Sequence, residues 1–126
     1  MKNPKNLFVS VFLICFMLFL DSCTHNINVP DLPAVSFSKD VLPILIGNCD
    51  QATCHSSSAS AELFPLDNYQ DVMQYGEITP HDALSSNLYK SVSGRGLVSQ
   101  MPPDKPLAEA DLQTIFLWIQ QGAKNN

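Results

Sequence analysis

The residue types with the most chemical potential stand close together in Cys49-Asp50-Gln51-Ala52-Thr53-Cys54-His55. Two thiols with an imidazole directly after the second meet the demands of c-type haem attachment. There the thiolates add across two porphyrin vinyls as thioethers, and the adjacent His is held under the iron as an axial ligand. The usual spacing places two residues between the cysteines. Here four intervene, so the loop must bulge while its ends reach the same two positions. The string alone is equally compatible with a small disulfide loop beside a surface His, since two thiols in an exported chain normally end as a disulfide or on a prosthetic group.

An iron carrying His on one face needs a sixth ligand, and a thioether sulfur is the soft neutral donor that favours ferrous iron. Downstream, Gly94-Arg95-Gly96-Leu97-Val98-Ser99-Gln100-Met101-Pro102-Pro103 sets a Met before two prolines in a loop opened by two glycines. The prolines fix φ and stiffen the loop that would present the sulfur. Beyond residue 22 the only Met are Met73 and Met101, and Met73 falls in a helical pattern that assigns it to the core. Water or His81 is the alternative sixth ligand, but His81 follows Pro80 in a turn-like segment and reads as a solvated loop histidine.

The N-terminus bears on compartment. Lys2 and Lys5 precede an apolar run, Leu7 to Leu20, broken only by Ser10. Fourteen residues are short for a span, which needs roughly 20, and suit the h-region of a secretory signal. Leu20-Asp21-Ser22-Cys23 resembles the lipobox of bacterial lipoproteins, with Asp21 where that motif has a small or apolar residue. Residues 1–22 are thus expected to be a lipoprotein signal peptide, with Cys23 the lipidation site. The chain would be exported and anchored to the bacterial cell envelope, at a periplasmic face or the outer membrane. Removal of residues 1–22 leaves 104 of 126 residues, with 11 acids against 5 bases. That balance disfavours nucleic acid and offers no basic patch for anionic lipid. Residues 23–34, with Pro30 and Pro33, read as a lipidated tether, in which His25 has no assigned role. Residues 35–126 form a single domain.

Four short helices must position the site. Phe37-Ser38 with Leu42 has the makings of an N-cap and staple opening a helix that carries Val41, Ile44 and Leu45 inward, bent or begun late at Pro43, and ends near Gly47-Asn48. A second pattern covers about residues 68–74, and a third about 83–92, with Leu84, Leu88 and Val92 a turn apart. The last is the clearest. Leu112, Ile115, Phe116 and Ile119 follow i, i+3, i+4, i+7; Glu109 and Asp111 suit the N-terminal end, and Gly122 suits the C′ stop. No segment alternates as a strand would, so an all-α fold is expected. A domain this small has a marginal core, and an attached apolar macrocycle would supply missing buried surface.

Taken in order, Val41-Leu42-Pro43-Ile44-Leu45, the Cys49, Cys54, His55 string, Leu66-Asp67-Asn68-Tyr69, Ile78-Thr79-Pro80, Ser86-Asn87-Leu88-Tyr89, Met101-Pro102-Pro103 and Trp118-Ile119-Gln120-Gln121-Gly122-Ala123 resemble a monohaem cytochrome c domain of the planctomycete type, common in exported lipoproteins. The resemblance runs from about Phe37 to Ala123. It implies a class I-like cytochrome c fold around one covalent haem c. It also implies thioethers at Cys49 and Cys54, His55 proximal to the iron and Met101 distal. Among candidate haem contacts, Arg95 would pair with a propionate or equally stand as a solvated loop residue, and Tyr89 and Trp118 would contact the porphyrin or its propionates, though an aromatic on a helix face is usually core.

Three function classes compete. An electron carrier uses both axial positions and transforms no substrate, so it is not an enzyme; its acidic surface would suit exported or membrane redox partners with a basic docking patch. A haem enzyme, such as a peroxidase, or a sensor needs a labile Met. A haem-free module would be stapled by a disulfide between Cys49 and Cys54.

Overall fold

Pro43 has no N–H to donate, and the chain around it takes a local form that does without one. In the computed structural model, which describes residues 32–50, 54–56, 64–103 and 105–126, residues Phe37–Val41 form a π turn. Within it the Val41 N–H reaches the Ser36 carbonyl at 3.2 Å, and the Leu42 N–H caps the Phe37 carbonyl. Helix α1 (Leu42–Asn48) follows, with Pro43 in its opening turn, where a missing donor costs least. The expected cap at Ser38 is corrected to Ser36. Its hydroxyl accepts from the Lys39 N–H at 3.3 Å, and its own N–H donates to Asp40 Oδ2 at 2.7 Å. Starting two residues earlier turns Phe37 inward to 2 % exposure and gives the Ser38 hydroxyl to the Asn126 main-chain oxygen. The signal peptide, the lipidation site at Cys23 and the tether up to residue 31 lie outside the described residues.

Helix α2 (Tyr69–Tyr75) is capped by Asn68, whose side chain accepts from the Asp71 N–H at 3.0 Å. Helix α3 (Asn87–Ser93) begins four residues later than the hydrophobic spacing predicts. Short polar side chains compete with the helix there. Asp82 Oδ1 accepts from the Ser85 N–H, while the buried Ser86 hydroxyl donates to the Asp82 carbonyl and accepts from the Thr79 N–H. Leu84 is consequently in a turn and 56 % exposed, a correction to its expected place on the buried stripe with Leu88 and Val92. The Ser85 side chain and N–H hold the exposed Asp82 carboxyl below its ordinary range. A depressed carboxyl stabilises above its unfolded pKa and loses that contribution as pH falls through the folded value. Asp82→Ala is expected to flatten the acid limb of the stability profile slightly, as read by denaturant titration at several pH values.

Helix α4 (Glu109–Gln120) is the hub, packed against the π turn and α3. Ile115, Trp118 and Ile119 are buried, and Leu112 and Phe116 are partly so, as the spacing predicts. Trp118 is core: its ring meets Phe37 at 5.3 Å, and its Nε1 donates to the Lys124 carbonyl. The helix closes at Gly122 (φ +101), whose N–H donates to the Ile119 carbonyl while the Ala123 N–H donates to that of Trp118. That pair of bonds is the Schellman arrangement, which calls for glycine at C′. Gln121 then straps the incoming chain, accepting from the Val35 N–H at 2.8 Å and donating to the Pro33 carbonyl at 3.0 Å. Among the described residues the fold is all-α; none forms a strand, and no helix is long and apolar enough to cross a membrane.

A Cβ at position 122 would lie 2.9 Å from the His81 ring as well as at positive φ. Gly122→Ala is therefore expected to cost about 2 kcal/mol, measurable as a lowered denaturation midpoint with unchanged slope.

Candidate functional site

Helix α1 delivers the first thiol. Leu45, fully buried, anchors the helix, and its carbonyl accepts from the Cys49 N–H at 2.7 Å and the Asp50 N–H at 3.1 Å. The His55 N–H then donates to the Cys49 carbonyl at 3.1 Å, closing the loop between the cysteines. His55 is held from the far side as well. Its carbonyl accepts from the Leu66 N–H, and its Nδ1 lies 2.9 Å from the Phe64 carbonyl. With the proton on Nδ1 donated to that carbonyl, the lone pair of Nε2 remains for a metal, the usual orientation of a ligating imidazole. The Phe64 ring stands 4.9 Å from the imidazole, and Tyr75 stacks on Phe64 at 5.1 Å.

Met101 arrives from the opposite arm. The loop leaves α3 through Gly94 and Gly96, at φ +65 and +82, conformations open to glycine at little steric cost. The Met101 N–H donates back to the Ser91 carbonyl at 3.0 Å, tying the loop to α3, and the Met101-Pro102 peptide bond is cis. Two adjoining cavities of about 240 and 200 Å³ both include Cys49, His55 and Met101 in their walls. Leu66, Leu88, Val92 and Val98 furnish apolar lining to the larger, while Cys54, Pro102 and Pro103 line the smaller. The four residues singled out by spacing thus share one cleft.

This donor set suits a covalently held iron macrocycle. Two thiols, one imidazole with its Nε2 available and one thioether face a common apolar space, and Cys49 and Cys54 are thiols rather than a disulfide. Among the described residues no three His, Cys, Asp or Glu side chains are arranged to hold a metal ion by themselves, so a metal here would need ligation beyond those side chains. Asp50 Oδ1, beside the first thiol, is buried with no hydrogen-bond partner among the described residues. Burial, reinforced by the neighbouring Cys54 and Asp50 charges, pushes the Cys49 thiol up to about 11.

Trp118, Tyr89 and Arg95 line neither part of the cleft. Trp118 is core, Tyr89 packs on Phe116 at 5.3 Å, and Arg95 is an exposed loop residue. Met73 packs against the core as expected. His81 is an exposed turn residue, as expected, and is tied down there: its N–H donates to the Ile119 carbonyl, and its Nδ1 lies 3.0 Å from that of Gln120. It borders a separate cavity of about 430 Å³ with Trp118 and Lys124. That cavity shares no lining residue with the cleft. Phe64, Tyr75, Glu77 and Asn87, which do line the cleft, escape sequence reasoning because no spacing rule links them to the cysteines.

No protein-family model matches the chain, and neither a curated protein nor a solved structure matches it.

Proposed function

We propose that the protein is a small class I-like cytochrome c, a one-electron carrier holding a single haem c through Cys49 and Cys54. His55 and Met101 would be the axial ligands. The observation that carries this is the convergence of those four side chains on one largely apolar cleft, from two arms of the chain 46 residues apart at Met101 and His55. When bound, the haem supplies an iron that changes by one unit of charge. The protein's own part is to hold that iron still. The Phe64 carbonyl fixes the tautomer of His55, the Ser91 carbonyl fixes the approach of Met101, and the apolar lining limits water. Held by both His55 and Met101, the iron would change charge with little rearrangement and would offer no open position to a substrate.

We further propose export and lipid anchoring at Cys23, which would keep the carrier near envelope partners, and an acidic surface that favours partners with a basic docking patch. The test is an oxidised-minus-reduced visible spectrum of protein exported from a host with haem-attachment machinery, with a denaturing gel stained for covalent haem. A sharp c-type α-band with gel-retained haem is expected. A colourless product from a host that matures other c-type cytochromes would overturn the proposal and return the weight to the stapled module.

A further inference from the structure

His55 and Phe64 both lie in irregular segments, so neither has a helix of its own to fix its ring. Backbone bonding settles where the chain runs: the Leu66 N–H donates to the His55 carbonyl at 2.9 Å, and Leu66 is buried. That leaves the rings to be held by other contacts. The imidazole meets Phe64 twice. Its Nδ1 lies 2.9 Å from the Phe64 carbonyl, and its face meets the ring of the same residue, with centroids 4.9 Å apart and planes inclined by 36°. The Phe64 ring is itself 39 % exposed, too open for core packing to hold it. Tyr75 braces it, stacked at 16° with centroids 5.1 Å apart. Tyr75 is the last residue of α2, and the chain there is pinned to α3. The Leu88 N–H donates to the Gly76 carbonyl at 2.9 Å, and a Cβ at Gly76 would lie 3.2 Å from that of Leu88. Helix α3 also ties Met101, through the Ser91 carbonyl. Both proposed ligands are thereby referred to one helix.

We infer that Tyr75 is a positioning residue which, acting through Phe64, fixes the plane of the His55 imidazole about the axis on which Nε2 would meet the iron. The inference rests on the haem reading and adds a residue to it that touches no donor atom. Groups standing behind a metal-bound His set its orientation and basicity. The bond from Nδ1 does part of this, but a carbonyl oxygen accepts over a broad range of directions, so that bond alone lets the ring rock. Two flat faces in contact resist rocking, provided the outer one is held, and Tyr75 holds it from a helix end that cannot move without α3. The plane matters because the imidazole π orbitals mix with those of the iron. Its direction decides where the unpaired electron of ferric iron spreads on the porphyrin, and the haem methyl resonances report that distribution.

Proton NMR of the ferric holoprotein tests this at the haem methyl resonances. Tyr75→Phe keeps the flat face and should leave the resonances in place. Tyr75→Leu keeps apolar bulk without the face and should shift and broaden them. Phe64→Leu retains the carbonyl acceptor and loses the ring, so it should produce the same change. Adding Tyr75→Leu to Phe64→Leu should then change nothing further, since contacting residues that act as one unit are not additive. Phe116→Leu removes a half-buried ring packed on the core outside the cleft; it should lower the denaturation midpoint and leave the methyl pattern as it is. Methyl resonances unmoved by Tyr75→Leu would overturn the inference with the covalent haem stain intact. So would additive changes from Tyr75→Leu and Phe64→Leu, because Tyr75 would then act on the porphyrin directly. Loss of the stain from the unsubstituted protein would overturn the haem reading and this inference with it.

Discussion

Met101→Ala is expected to lower the reduction potential of the haem-loaded protein by on the order of 0.1 V or more, within the ~0.8 V range over which axial ligands set haem potentials. A thioether is a soft neutral donor that stabilises ferrous over ferric iron, and alanine supplies no donor at all. The loop itself should survive the change. It is held by the Met101 N–H on the Ser91 carbonyl, by Gly94 at positive φ and by two prolines, none of which needs the sulfur. Water or another weak donor would fill the position, so the band near the red edge of the oxidised spectrum that reports a Met–iron bond should vanish. His81 is not poised to replace it, since His81 is tied to the C-terminal end of α4 and borders a different cavity. Potentiometric titration with spectra of both oxidation states measures the effect. An unchanged potential and spectrum would mean that Met101 is not the ligand.

The cleft was more legible in the sequence than its framework. Cys49, Cys54, His55 and Met101 could be named because their chemistry requires particular atoms, and the structure brings all four to one space. Helix α4 was legible for a different reason: its apolar period is sustained over three turns and its stop depends on one glycine, so local pattern and tertiary packing agree. Shorter elements yielded to side-chain hydrogen bonding that periodicity ignores. Ser86 reads as an ordinary helical residue beside Leu84 and Leu88, yet its buried hydroxyl organises a turn and delays α3 to Asn87. At the first helix the cap moved from Ser38 to Ser36 because burying Phe37 outweighs the local preference for a later start. Phe64 was not legible at all. Its carbonyl receives the His55 imidazole from nine residues away, and a backbone acceptor leaves no residue-type signature.

Without haem, the chain is expected to lose cooperative unfolding, as shown by Cys49→Ala with Cys54→Ala or by expression where attachment machinery is absent. The helices α1, α2 and α3 are seven residues each, too short to persist without tertiary packing. Their shared interior includes the lining of the cleft, Leu66, Leu88 and Val92 among it. Each ~100 Å² of that apolar lining covered by a bound macrocycle contributes ~2.5 kcal/mol, a large share of the ~5–15 kcal/mol that holds a whole domain together. The thiols report the outcome independently of the helix signal. In the folded arrangement Cys49 is 6 % exposed and burial raises its thiol to about 11, whereas Cys54 is half-buried. Since the thiolate is the reactive form, iodoacetamide at neutral pH should modify Cys54 well ahead of Cys49 in a folded chain expressed without attachment machinery, which keeps both thiols. In a loosened chain the two should react at similar rates, the expected result, accompanied by a broad denaturation profile. A sharp transition with Cys49 protected would show that the polypeptide alone closes the cleft, and that haem is added to a fold already stable without it.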